Sequence, residues 1–188
     1  MTEARAGRTR SPSAYAALRR GTAFVRAGIG RDARRGSVKV VGNMLAELDR
    51  LLYVLITETA SDRGVVLPPR SRHTVVRLAA LCAEHGRTGA DAERLRALFW
   101  STLCLRRHDG RAHRPDRGRG DRMTVGWPAS GVDGNALALF PLLSPIMPSP
   151  DQLVDVCAFY DRLALHVVTP RPTAPRAYVG HGLELSRA

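Results

Sequence analysis

Apolar residues recur at helical spacing along most of this chain, and no stretch shows a competing strand pattern. The clearest run is Val38–Ser61. There Val38, Val41, Met44, Leu45, Leu48, Leu52, Leu55, Ile56 and Thr59 fall at i, i+3, i+4, i+7 positions. Glu47, Asp49 and Arg50 take the other faces, so the spacing predicts a long amphipathic helix, ended by Gly64 and Pro68-Pro69. Ser71 can cap the next helix, whose stripe is Val75, Leu78, Ala79 and Cys82, with Val76 as a further candidate, and whose stop is Gly86. Another helix is expected from about Asp91 to about Arg107. Asp91 and Glu93 suit its positive start, and Leu95, Leu98, Phe99, Thr102 and Leu103 share one side. Ser149-Pro150-Asp151 reads as a capped helix start. The helix it opens carries Leu153, Val154, Cys157, Tyr160, Leu163, Ala164 and Val167 on one face. A weaker stripe of Ala14, Ala17, Leu18 and Val25 suggests a short helix from Ser13 to Arg26.

The segments between these stripes look irregular. Gly28 to Gly36 reads as a basic turn, and its Gly-x-Gly has neither the preceding strand nor the third glycine of a dinucleotide loop. Residues 110–134 mix Arg111, Arg114, Arg117, Arg119 and Arg122 with glycines, aspartates and Pro115, which predicts a mobile basic loop. Pro141, Pro145, Pro148 and Pro150 punctuate an apolar segment expected to cover the core without regular structure. The expected fold is all-α: a bundle of four to five helices with the basic loop inserted before the last. It forms a single helical domain at 13–168, with disordered tails at 1–12 and 169–188. Its core is expected to contain Leu45, Leu48, Leu52, Leu55, Leu78, Leu98, Leu103, Leu153, Leu163 and Val156 or Cys157.

Composition adjusts this picture in three ways. The net charge of +12 makes a polyanion a natural partner. That inference is discounted because Lys39 is the sole lysine among 29 basic residues, a skew that GC-rich coding also produces. Cys82, Cys104 and Cys157 are odd in number, sit in apolar helical contexts and have no CxxC spacing, which points to buried free thiols. Arg5, Arg8 and Arg10 are followed by no clean apolar run, so no signal peptide is expected. Lys39, Glu47, Asp49 and Arg50 interrupt the longest apolar region, so no membrane span is expected there. A cytoplasmic protein follows as the simplest expectation.

The candidate chemistry lies at 103–114, Leu-Cys-Leu-Arg-Arg-His-Asp-Gly-Arg-Ala-His-Arg. Arg107 offers a forked, permanent positive charge suited to a phosphate. His108 follows it, and His113 lies six residues beyond Arg107; histidine can exchange a proton near neutral pH. Such a set could bind a phosphodiester and move a proton on it. Cys104, His108 and His113 match no usual zinc spacing, so no metal and no cofactor are expected. Glu47 and Asp49 point to different helix faces and do not read as a carboxylate pair. Asp155 and Asp161 read as solvated helix charges. Trp100 and Trp127 could stack on bases, but Trp100 reads first as core.

The order of elements, with an Arg-polar-x4-His motif at a helix end, resembles the HEPN superfamily (higher eukaryotes and prokaryotes nucleotide-binding). The motif residues are Arg107, His108 and His113. Gly42-Asn-Met-Leu-Ala-Glu-Leu-Asp-Arg-Leu-Leu52 is similar to that family's first long helix, and the resemblance spans roughly 38–168. It implies a metal-independent endoribonuclease of a toxin or defence system, working as a homodimer and held by an antitoxin or other protein partner. His113 would then be general acid or base on the ribose 2′-hydroxyl and leaving oxygen, Arg107 would hold the phosphate, and His108 would orient both. Asp109, Gly110 and Arg111 break the apolar helical stretch that active members keep between the motif residues, which leaves RNA binding without cleavage as an alternative. Arg106, Arg111, Arg114, Arg117, Arg119 and Arg122 are the candidate nucleic-acid contacts. The contrasting expectation is a non-catalytic adaptor whose segment 106–122, with seven arginines against three aspartates, meets nucleic acid or an acidic protein.

Overall fold

The computed structural model describes residues 10–32, 37–69, 73–82, 89–129 and 136–169. The described residues form five helices and one small sheet. In chain order these are α1 (Ser11–Asp32), α2 (Val38–Asp62), α3 (Thr74–Cys82), α4 (Gly89–Arg107), β1 (Arg122–Pro128), β2 (Leu137–Pro141) and α5 (Pro150–Val168). The all-α bundle expected from the apolar spacing is therefore the architecture, with a two-stranded hairpin added to it. The expected Ser71 cap and Gly86 stop lie outside the described residues, as do both tails beyond 10 and 169.

α2 is the central element and packs on α1, α3, α4 and α5. Its stripe is phased as expected: Leu45, Leu48, Leu52, Leu55 and Ile56 are all buried. Ser37 caps it by accepting from the Lys39 amide at 3.3 Å. α5 begins with a full capping box, the Gln152 amide donating to Ser149 Oγ and the Ser149 amide to Gln152 Oε1. Gln152 Nε2 also donates to the Pro128 carbonyl at 2.8 Å, which ties the start of α5 to the end of β1.

α1 is longer than expected at both ends. The Asp62 carboxylate, at the end of α2, accepts the Ser11 and Arg10 amides and so caps α1 earlier than Ser13. The hydrogen bond from Ser11 holds the Asp62 carboxyl below its ordinary range. At the other end the helix continues through Gly28 to Asp32, where a loop was expected, because Ile29 packs against the core and keeps the last turns docked. Asp161 is a second correction. It is buried on α5, not solvated, and binds three α1 side chains: Thr22 Oγ1 at 2.7 Å, Arg26 at 2.7 Å and Arg19 at 3.3 Å. Asp155 is likewise paired, with Arg94.

The hairpin is the main departure. β1 lies within the segment 110–134 that reads as a loop, and β2 at the head of the proline-punctuated segment. β1 and β2 pair antiparallel, Met123 opposite Phe140 and Thr124 opposite Leu139. The register then slips before Pro128 meets Leu137. Gly126 sits inside that slip, and α4 supplies its backbone partners. The Gly126 amide donates to Ser101 Oγ at 3.2 Å, and its carbonyl accepts from Arg94 Nε at 3.1 Å. A side chain at 126 would meet Leu98, with its Cβ 2.7 Å from the Leu98 Cα, so only glycine allows this approach. Strand β1 thus rests on a face of α4 made by Arg94, Leu98, Ser101 and Cys104. Leu105 is fully buried, close against Gly42 of α2, and Leu103, expected in the core, is only half-buried. Val125 and Trp127 of β1 are fully buried.

Candidate nucleic-acid interface

α4 delivers the motif segment to the surface and stops there. Asp109 and Gly110 both adopt positive φ, 49° and 70°. This reversal lets the Gly110 amide return to the Cys104 carbonyl at 3.1 Å, which also accepts the His108 amide at 2.9 Å. Glycine is required at 110 by contact as well as by φ. An added Cβ would lie 2.7 Å from Val38 Cγ1. The chain beyond is pinned rather than loose. The Ile146 amide donates to the Gly110 carbonyl at 2.7 Å, and Ala112 exchanges backbone bonds with Ser144 and Leu143. Asp116 accepts the Thr124 amide at 2.7 Å and also the Thr124 hydroxyl, and its own amide donates to the Arg122 carbonyl.

Within this frame the two motif histidines come together. The His108 and His113 rings stack at 3.8 Å between centroids with planes 13° apart. His108 is half-buried and His113 exposed. Arg107 is exposed, and among the described residues it makes no ion pair or hydrogen bond with either imidazole. Arg106 Nε donates to Asn43 Oδ1 at 3.0 Å, Arg111 to the Leu143 carbonyl at 3.0 Å, and the Arg114 guanidinium lies 3.9 Å over the Trp100 ring. Trp100 is therefore half-buried under a cation, while Trp127, the other candidate stacking residue, is wholly in the core. Cys104 lies beneath the pair, next to Met123, and burial raises its thiol pKa; burial pushes the Cys157 thiol up to about 11. Among the described residues no cluster of three or more His, Cys, Asp or Glu could hold a metal ion.

Arg117 and Arg119 belong to a different place. The segment after Arg114 turns back along α4, and these two arginines line a cleft of about 660 Å³ with Arg94, Arg96 and Arg162. Sequence adjacency groups them with Arg111 and Arg114; the fold groups them with α4 and α5. Arg94, Arg96 and Arg162 had no signal in the sequence beyond being arginines on helices. Arg122 is exposed at the start of β1.

The stacked pair constrains any proton chemistry. In-line displacement at phosphorus needs its base and its acid on opposite sides of the phosphate. Two rings lying face to face at 3.8 Å present themselves to one side of a phosphate. No described helix is long and apolar enough to cross a membrane. Comparison with family models, with curated proteins and with solved structures finds no match for this chain.

Proposed function

We propose that the protein is a HEPN-like RNA-binding domain that acts as a metal-independent endoribonuclease. The observation that carries the reading is the stacked His108–His113 pair at the exposed end of α4, with Arg107, Arg111 and Arg114 beside it in the chain. Arginine forks would hold phosphates, as their geometry suits. His113, the more exposed ring, would take or give the proton at the ribose 2′-hydroxyl or leaving oxygen. His108, half-buried and stacked on it, would hold that ring in place. A homodimer, which the family resemblance implies, would let a second copy supply a group on the opposite side of the phosphate. The all-helical bundle and the Arg-polar-x4-His spacing support the family part of the reading.

The test is RNA binding by fluorescence anisotropy across a salt series in chelator, with a fluorescent single-stranded RNA. Replacing Arg107, Arg111 and Arg114 together by Ser should weaken binding. It should also flatten the log–log salt slope by about 2, at about 0.7 per lost phosphate contact. Unchanged affinity at low salt would reject the interface. A second reading, the non-catalytic adaptor, is favoured by one feature. Arg106, Arg111 and Arg114 already hold internal partners, so part of the segment's charge stabilises the turn. That reading expects binding without cleavage.

A further inference from the structure

The cleft beside α4 has no part in the site described above, and its chemistry is different. Three separate elements converge on it: α4 with Arg94 and Arg96, the turn before β1 with Arg117 and Arg119, and α5 with Arg162. Arg94 is nearly buried and fully engaged. It donates to the Gly126 carbonyl, pairs with Asp155 and lies 4.6 Å over the Phe159 ring, so it forms a fixed floor. The other four arginines are exposed, and among the described residues none has a carboxylate within ion-pair distance. The turn that carries two of them is held by the Asp116 carboxylate on the Thr124 amide and hydroxyl, with Gly118 and Gly120 in the positive-φ region. Their placement is therefore a property of the fold. Three carboxylates also line the cleft: Asp91 and Glu93, near the positive start of α4, and Asp116, which is held on Thr124.

Four guanidinium groups without a carboxylate in ion-pair distance share one concave site with three carboxylates, so the positive charge is only partly offset, and a bound anion would complete the pairing. We infer that this cleft is a binding site for a small ligand carrying two or more phosphate groups, separate from the RNA face. Its volume lies within the range usual for small-molecule sites. Arginines from three directions can grip a diphosphate in two-pronged contacts. Asp91 and Glu93 offer acceptors to any hydroxyl such a ligand carries.

Inorganic pyrophosphate is the probe, titrated by calorimetry into the full chain at 0.15 M salt. Saturable binding at one site per chain is expected. The variant Arg117→Ser with Arg162→Ser should weaken it at least about tenfold, while Arg20→Ser with Lys39→Ser, which removes the same charge elsewhere, should change it less than about twofold. Circular dichroism checks that each variant is folded; should the double variant not fold, Arg119→Gln alone should still weaken binding several-fold. Absence of saturable binding by the unmodified chain would overturn the inference. So would an equal loss in the Arg20/Lys39 control, which would make the attraction one of general charge. Competition of single-stranded RNA for the pyrophosphate site would also overturn it, because the cleft would then be part of the RNA surface. Pyrophosphate binding needs no RNA activity, so failure of the ribonuclease reading leaves this test intact.

Discussion

Removing the Asp161 carboxylate should uncouple α1 from α5. Asp161 is buried, and its oxygens accept from Thr22 at 2.7 Å, Arg26 at 2.7 Å and Arg19 at 3.3 Å. Deleting one partner of a fully buried ion pair costs about 3–5 kcal/mol. Here the figure is smaller, because the partners can rehydrate. Arg19 is half exposed and contributes at most about 0.5 kcal/mol, as surface pairs do. Arg26 is about a third exposed, which leaves its charge-assisted bond near the bottom of the usual range, about 1.5 kcal/mol. Thr22 can turn its hydroxyl to the Arg19 carbonyl at 3.0 Å, so its loss is small. Asp161→Asn should therefore cost about 2 kcal/mol, measured by urea unfolding followed through tryptophan emission. Crossing it with Arg26→Met in a double-mutant cycle should return a coupling near 1 kcal/mol. The pair is shielded from solvent on the α5 side, so the coupling should change little between 0.1 and about 0.5 M salt. A cost under about 0.5 kcal/mol with no coupling would mean that α1 is not docked through this carboxylate.

Two further outcomes probe the scaffold. Gly126→Ala should destabilise by about 1–3 kcal/mol or more, since its Cβ would press on the Leu98 side chain and backbone and no rotamer change clears the latter; a thermal melt within a degree or two of the unmodified chain would refute the close approach of β1 to α4. Burial raises the Asp49 carboxyl above its ordinary value, opposed in part by the Thr74 hydroxyl and by His73. The folded state thus binds this proton more tightly than the unfolded chain, and stability from the group is lost as pH rises from about 3.9 through the raised value. Asp49→Asn should accordingly be more stable than the unmodified chain at pH 7, with the difference vanishing toward pH 4; a difference that grows on acidification would reverse the assignment.

The helices were readable because each buries one continuous stripe. Val41 to Thr59 carry enough large apolar side chains for the period to show, and Ser149 and Gln152 announce α5 through their capping chemistry. The hairpin was hidden by its own packing. Met123, Val125 and Trp127 do alternate, and that alternation was the available signal. Gly126 and the register slip break the pattern, and the surrounding arginines and glycines read as loop. The face of α4 that receives β1 is built from Arg94, Leu98, Ser101 and Cys104; of these only Leu98 belongs to the apolar stripe, so the stripe points Leu103 inward and gives no sign of Leu105. Asp161 could not be told from a solvated charge until α1 was docked against it. At the site, the short spacing from His108 to His113 suggested proximity, and the turn at Asp109–Gly110 is what stacks the rings. The division of the arginines into two groups depends on the chain reversing along α4, and local sequence carries no record of that.

The most direct test of the central claim is cleavage of a labelled single-stranded RNA in EDTA by the unmodified chain, compared with His113→Ala and Arg107→Lys. Products ending in a 2′,3′-cyclic phosphate are expected, with no cleavage of the 2′-deoxy strand. His113→Ala should slow the reaction about 10²–10⁴-fold while leaving RNA affinity nearly unchanged. Arg107→Lys should also fail, because an ammonium keeps the charge but loses the two-pronged contact. Full activity in His113→Ala, cleavage of the 2′-deoxy strand, or an unmodified chain that binds RNA and never cuts it would contradict the ribonuclease account.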